Sequence, residues 1–263
     1  MDYIDLAQTL ECGQCFRWDH QPDGSYTGIA SGRTLRVSEE NLPDIIKDPF
    51  WNHYFDFDLN YTNIRAELAK KDPVLARAAE YAPGMRILNQ EPWEALCSFI
   101  LSQNNNIPRI RGLVARLCGE FGETLEQGGH AFPTPETLAE LTEADLAPVR
   151  CGFRARYLID AAKKVASGEI DLEQVRRLPL DEARAKLMTI VGVGPKVADC
   201  ALLYGLHRLD AFPMDVWMKR AMRVLFPGRT PDFFGPYAGI AQQYIFHYSR
   251  MNPQLFAEDE AAS

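Results

Sequence analysis

Apolar positions change their period along this chain. In the first 85 or so residues, aromatic and β-branched residues fall in short runs divided by turns. Cys15-Phe16-Arg17-Trp18 precedes a Pro22-Asp23-Gly24 turn, and Ser25-Tyr26-Thr27-Gly28-Ile29-Ala30 follows it. Ser31-Gly32 then leads into the alternating Thr34-Leu35-Arg36-Val37-Ser38. Runs of this kind, split by glycine-containing turns, predict antiparallel hairpins. Helical segments follow, one of them from Ile64 to Lys71 and closed by Asp72-Pro73.

From about residue 86 the period is helical. Pro92 to Leu101 predicts a helix with proline in its first turn. Ile107 to Phe121 places Ile110, Leu113, Val114 and Leu117 on one face. Thr134-Pro135-Glu136 and Thr142-Glu143-Ala144-Asp145 read as capped helix starts. The pattern continues over Arg156 to Ala166, Leu180 to Ile190, Pro195 to Tyr204, Asp215 to Leu225 and Tyr237 to Tyr248. No internal repeat or low-complexity segment stands out. The expected architecture is α+β: a small N-terminal antiparallel sheet domain with flanking helices at 1–85, then an all-helical body at 86–263.

The chain has 263 residues, with 46% hydrophobic and 24% charged positions, an ordinary balance for a soluble globular protein. Met1-Asp2-Tyr3-Ile4-Asp5 lacks the basic region of a secretory signal, and no run approaches the roughly 18 apolar residues of a membrane span. No membrane partner is expected, and the cytoplasm is the expected compartment. The six cysteines are scattered and read as reduced thiols; Cys12-Gly13-Gln14-Cys15 is a lone C-x-x-C and a weak metal signal. The formal net charge of −8 argues against a nucleic-acid partner, but its distribution is uneven. From Arg150 to Arg223, 14 Lys/Arg stand against 9 Asp/Glu, a local excess of five positive charges, whereas Glu258-Asp259-Glu260 concentrates acids in the tail. A locally basic face on an acidic protein can bind DNA.

The most informative stretch runs from Leu187 to Cys200. A helix ends at about Ile190, a tight Gly192-Val193-Gly194 turn follows, and Pro195 opens a new helix. Two glycines spaced this way permit a sharp turn and close approach of backbone to a ligand. Amides at the start of the second helix can bond a phosphate. An ordinary packing turn is the plain alternative. A nucleotide-binding loop does not fit, because the third glycine is missing and Lys196 is followed by Val197.

This segment, with Lys196, Val197, Ala198, Asp199 and Cys200 after the turn, resembles the hairpin at about 183–204 of helix-hairpin-helix DNA glycosylases. Ala211-Phe212-Pro213-Met214-Asp215-Val216 is similar to their aspartate loop. The resemblance implies that Lys196 attacks the deoxyribose and that Asp215, nineteen residues later, assists. It also implies a TBP-like N-terminal sheet and phosphate contacts at Gly192, Val193 and Gly194. An attacking lysine must be the neutral amine, and apolar neighbours such as Val193, Val197 and Leu203 would favour that form. The plainer readings are a surface cation for Lys196 and a helix N-cap for Asp215.

Further segments resemble 8-oxoguanine DNA glycosylase. They are Gly13-Gln14-Cys15-Phe16-Arg17-Trp18, the block from Phe99 to Ile110, Gly152-Phe153-Arg154-Ala155-Arg156-Tyr157 and Gly235 to Gln242. Related iron–sulfur branches carry four cysteines after the hairpin, and no cysteine lies beyond Cys200, so no iron–sulfur cluster and no required cofactor are expected. The resemblance places the Gly13 carbonyl on the lesion's N7–H, Gln242 on its Watson–Crick edge, and Cys200 and Phe246 on its two faces. Asn104, Arg109 and Arg154 would hold the stranded cytosine, with Phe153 as the wedge where the family usually has tyrosine. Trp217 stands where the family carries a histidine near a phosphate. Main-chain oxygens of Met188, Ile190 and Val193 would bind a structural monovalent cation.

These expectations define a monomeric bifunctional glycosylase/lyase acting on double-stranded DNA that contains oxidised guanine, preferentially opposite cytosine. Two alternatives stay open at this point: a helix-hairpin-helix glycosylase for another damaged purine, and a non-catalytic DNA-binding module.

Overall fold

The computed structural model describes residues 3–257, so the acidic Glu258-Asp259-Glu260 lies outside the described residues. The chain opens with helix α1 (Leu6–Leu10), strands β1 (Trp18–His20), β2 (Tyr26–Ala30) and β3 (Arg33–Val37), and short helices α2 (Leu42–Ile45) and α3 (Pro49–Tyr54). Helices then take over. They are α4 (Tyr61–Ala69), α5 (Pro73–Tyr81), α6 (Pro92–Leu101), α7 (Ile107–Phe121), α8 (Pro135–Ala139), α9 (Arg154–Ala166), α10 (Leu172–Arg177), α11 (Leu180–Leu187), α12 (Pro195–Tyr204), α13 (Val216–Leu225) and α14 (Ala238–Met251). The α+β expectation agrees with this order.

The three strands form one antiparallel sheet in sequence order, with Trp18 opposite Gly28 and Tyr26 opposite Val37. The Trp18 ring occupies the space over Gly28, where a Cβ would come within 2.3 Å of it. A small core of Trp18, Tyr26, Val37, Trp51, Tyr54 and Phe55 backs the sheet, and the Trp18 indole donates to the Tyr54 hydroxyl at 2.8 Å.

The larger core belongs to the helices. Along α7, Ile110, Leu113, Val114 and Leu117 are buried as their spacing predicts. Each such side chain contributes roughly 2 kcal/mol of transfer free energy. Helix α12 packs on α6, and α14 on α5 and α13. Helices α4 and α5 therefore join this core although they lie in the first 85 residues. Buried Gln14 ties the two parts together: its amide donates to the Thr9 and Arg86 carbonyls at 2.9 and 2.7 Å and accepts from Leu88 N–H at 2.9 Å.

Two boundaries differ from expectation. Thr142 and Asp145 do make reciprocal capping bonds, Thr142 N–H to Asp145 at 2.8 Å among them, but no α-helix follows. Pro148 three residues on lacks an N–H, and the segment closes as a 3₁₀ turn over Ala147–Val149. The helix expected to reach Ile190 stops at Leu187, so the hairpin begins earlier.

Candidate active site

Helices α11 and α12 with the turn between them form a helix-hairpin-helix. Arg184 on α11 donates to Asp199 on α12 at 2.7 Å, which fixes their packing. Gly192 has φ +79, and a Cβ there would sit 2.4 Å from the Tyr157 ring, so both conformation and space require glycine. Gly194 occupies the N-cap of α12 without any side-chain cap, which leaves first-turn amides facing outward for an anion. From α9, Asp160 accepts the Val191 N–H at 2.7 Å, and Lys164 donates to the Thr189 carbonyl.

Beyond the hairpin lies a cavity of about 400 Å³. Lys196 and Asp215 both line it, together with Gly13, Cys200, Gln242 and Phe246. Six residues spread over more than 230 positions thus meet on one cavity, within the size range of small-ligand sites. Asp215 caps α13, accepting Met218 N–H at 2.7 Å through Oδ1; the other oxygen has no hydrogen bond among the described residues. The Lys196 amine sits 3.3 Å from Ser102 Oγ and 5.5 Å from the centre of the Phe99 ring. Its surroundings are therefore Phe99 and Ser102, whereas Val193, Val197 and Leu203 are buried in the core. Burial pushes the Cys200 thiol up to about 11, with the Lys196 charge opposing, so it is a neutral, polarisable wall.

Gly13 adopts φ +91, which turns the chain sharply at the cavity's edge, and Ile107 would lie 3.3 Å from any added Cβ. Phe246 is partly buried, with the Arg250 guanidinium 5.3 Å from its ring centre.

The residues expected to read the opposite strand gather outside the cavity. Phe153 precedes α9 with 49% of its surface exposed, as a wedge requires. Asn104 is exposed and held at φ +48, and Arg109 is exposed on the first turn of α7. Arg154 is only 4% exposed, and its guanidinium is engaged by backbone: Nε bonds the Gln103 carbonyl at 2.9 Å, Nη1 that of Cys151 at 3.2 Å and Nη2 that of Asn104 at 3.2 Å. In the DNA-free chain it shapes the Asn104 loop instead of projecting donors outward. Burial, and then the nearby Arg109 charge, push its pKa down. The Trp217 indole, expected near a phosphate, donates to Ser249 at 2.9 Å and so offers that position no free donor.

Sequence reasoning missed Phe99, Ser102, Tyr204, Gln243 and Arg250, which complete the cavity. Of these only Arg250 carried a readable signal, its i,i+4 spacing from Phe246. For the cation, neutral main-chain oxygens in a tight turn suit a hard monovalent ion. The Ile190 carbonyl already accepts Val193 N–H at 3.0 Å, which leaves its second lone pair.

A hairpin presenting a lysine and an aspartate to a base-sized cavity defines a helix-hairpin-helix DNA glycosylase. Comparison with known proteins agrees. The family described as HhH-GPD superfamily base excision DNA repair protein matches residues 97–232, and 8-oxoguanine DNA glycosylase, N-terminal domain, matches residues 2–96. The structure of MBOgg1 in complex with low affinity DNA ligand superimposes with a TM-score of 0.85 at 43% identity, covering 95% of this chain and 93% of that one. That of Clostridium acetobutylicum 8-oxoguanine glycosylase/lyase, in complex with dsDNA containing cytosine opposite 8-oxoG, gives 0.83 at 36% identity with the same coverage. The N-glycosylase/DNA lyase of Saccharomyces cerevisiae is 34% identical over 251 residues, covering 82% of this chain and 66% of the yeast protein. The chain belongs to the 8-oxoguanine DNA glycosylase family of this superfamily.

Proposed function

We propose that this chain excises 8-oxoguanine from duplex DNA, preferentially opposite cytosine, and then cleaves the abasic strand as a lyase. One observation carries the reading: Lys196 and Asp215 share a cavity with Gly13, Cys200, Gln242 and Phe246.

An extruded base enters between Cys200 and Phe246. The Gly13 carbonyl accepts from N7–H of 8-oxoguanine but meets a lone pair on guanine, a mismatch that costs about 1–3 kcal/mol. As the C1′–N9 bond breaks, its electron pair leaves on the base, which takes up a proton. The free oxygen of Asp215 stabilises the positive charge that develops on the sugar. The neutral Lys196 amine forms the new bond at C1′, loses its proton, and gives a Schiff base after ring opening. Loss of a C2′ proton then expels the 3′ phosphate by β-elimination. A monovalent cation on the Met188, Ile190 and Val193 oxygens would add positive charge where the hairpin meets a phosphate; the chemical steps themselves use side chains of this chain.

The test is base release from a panel of duplexes with cytosine opposite guanine, 8-oxoguanine or a methylated purine. Selective release of 8-oxoguanine, abolished by Lys196→Gln, is expected. Equal release of a methylated purine, or duplex binding with no release, contradicts the reading.

A further inference from the structure

Tyr204 ends α12 at the wall of the cavity. Its ring stacks on Phe99, with centroids 5.1 Å apart and planes inclined by 21°. Its hydroxyl lies 2.5 Å from Gln243 Oε1 and 3.4 Å from Gln242 Oε1. Gln243 Nε2 in turn donates to the Cys12 carbonyl at 3.3 Å. Tyr204, Gln242 and Gln243 are 4%, 4% and 2% exposed, so each polar atom must find its partner within the protein or on a bound base.

The protons in this group can be assigned one by one. A carbonyl only accepts, so the Gln243 NH₂ must face Cys12 and its oxygen must face Tyr204. Tyr204 has one proton, and the 2.5 Å contact takes it. An oxygen of Gln242 pointed at the same hydroxyl would then have no proton between. The two orientations of an amide have the same shape, so donors and acceptors decide between them. With its NH₂ turned to Tyr204, Gln242 donates to a free lone pair and its oxygen faces the cavity. The chain Gln242 to Tyr204 to Gln243 to Cys12 is then satisfied at every step, and satisfied buried networks are rigid.

We propose that Tyr204 and Gln243 are positioning residues for base selection, holding the Gln242 oxygen toward the cavity. In that orientation it accepts from N1–H and the 2-amino group of a guanine-type base and repels the bare N1 of an adenine-type base. The far end of the chain bonds the residue before Gly13, so the same network steadies the carbonyl placed at N7–H. This inference rests on the proposed excision of 8-oxoguanine.

The test compares single-turnover release of 8-oxoguanine opposite cytosine with cleavage of a pre-formed abasic site, which has no base to read. Tyr204→Phe keeps the ring and its stacking but removes the hydroxyl. Release is expected to fall about tenfold, since a buried group loses its partner. Abasic-site cleavage should change less than about twofold, and preference for 8-oxoguanine over 8-oxoadenine should narrow. Gln243→Leu should behave alike. Unchanged release by Tyr204→Phe, or a parallel fall in both reactions, overturns the proposal. Absence of release by the unmodified chain would instead overturn the functional reading on which it depends.

Discussion

The carboxylate of Asp160 accepts the backbone N–H of Val191 at 2.7 Å, so helix α9 directly grips the hairpin. Lys164, one turn further along, pairs with Asp160 at 3.0 Å and reaches the Thr189 carbonyl. Asp160→Ala is expected to weaken duplex affinity roughly tenfold, because the hairpin loses its fixed geometry. Asp160→Asn keeps an acceptor and should retain most of the affinity. Fluorescence anisotropy at one fixed salt concentration checks both; equal affinities for all three proteins would contradict the role.

Arg154 bonds three carbonyls from two loops, Gln103, Asn104 and Cys151. A lysine ammonium cannot span that fork. Arg154→Lys should release the Asn104 loop and narrow the preference for cytosine over adenine opposite the lesion by about tenfold, consistent with losing one bidentate contact. Excision rates on the two duplexes give the ratio directly, and an unaltered ratio would refute the assignment.

Local chemistry explains which parts were legible. Asp72 before Pro73, Asn106 before Ile107 and Asp215 before Val216 all cap helices as their types predict. Gly192 and Gly194 marked the hairpin because no other residue fits the turn as well. What stayed hidden depends on tertiary neighbours. Phe99 and Tyr204 have the spacing of core residues, and only the packing of α6 on α12 turns them toward a cavity. The Arg154 bonds to Gln103 and Asn104 cross about fifty residues, and no periodicity encodes such a contact. At Thr142 the capping pair was correctly read, but Pro148 overrode it.

Glu94 is a second buried acid whose behaviour is specific. Burial raises its carboxyl from 4.5 to about 7, although Arg17 lies 3.1 Å away and opposes the shift. The folded state therefore holds this proton more tightly than the unfolded chain. Its stabilising contribution is complete below pH 4.5 and is lost as pH rises through about 7. Between pH 5 and 8 the change amounts to roughly 2 kcal/mol. Glu94→Gln should remove that slope, which denaturant titrations across this range would reveal as a flatter difference from the parent protein.

Gly192→Ala tests the hairpin's backbone. With φ +79 and the Tyr157 ring 2.4 Å from the new methyl, the substitution should cost about 2 kcal/mol and lower Tm by about 5 °C. Calorimetry measures this, and an unchanged Tm would mean that the turn tolerates a side chain.

The central claim is that the Lys196 amine becomes covalently joined to the sugar. Borohydride reduction during reaction with an 8-oxoguanine duplex, followed by peptide mapping of the adduct, tests it most directly. The account predicts a stable protein–DNA adduct on the peptide containing Lys196, absent from Lys196→Gln; an adduct on another residue, or one that survives that substitution, would contradict it.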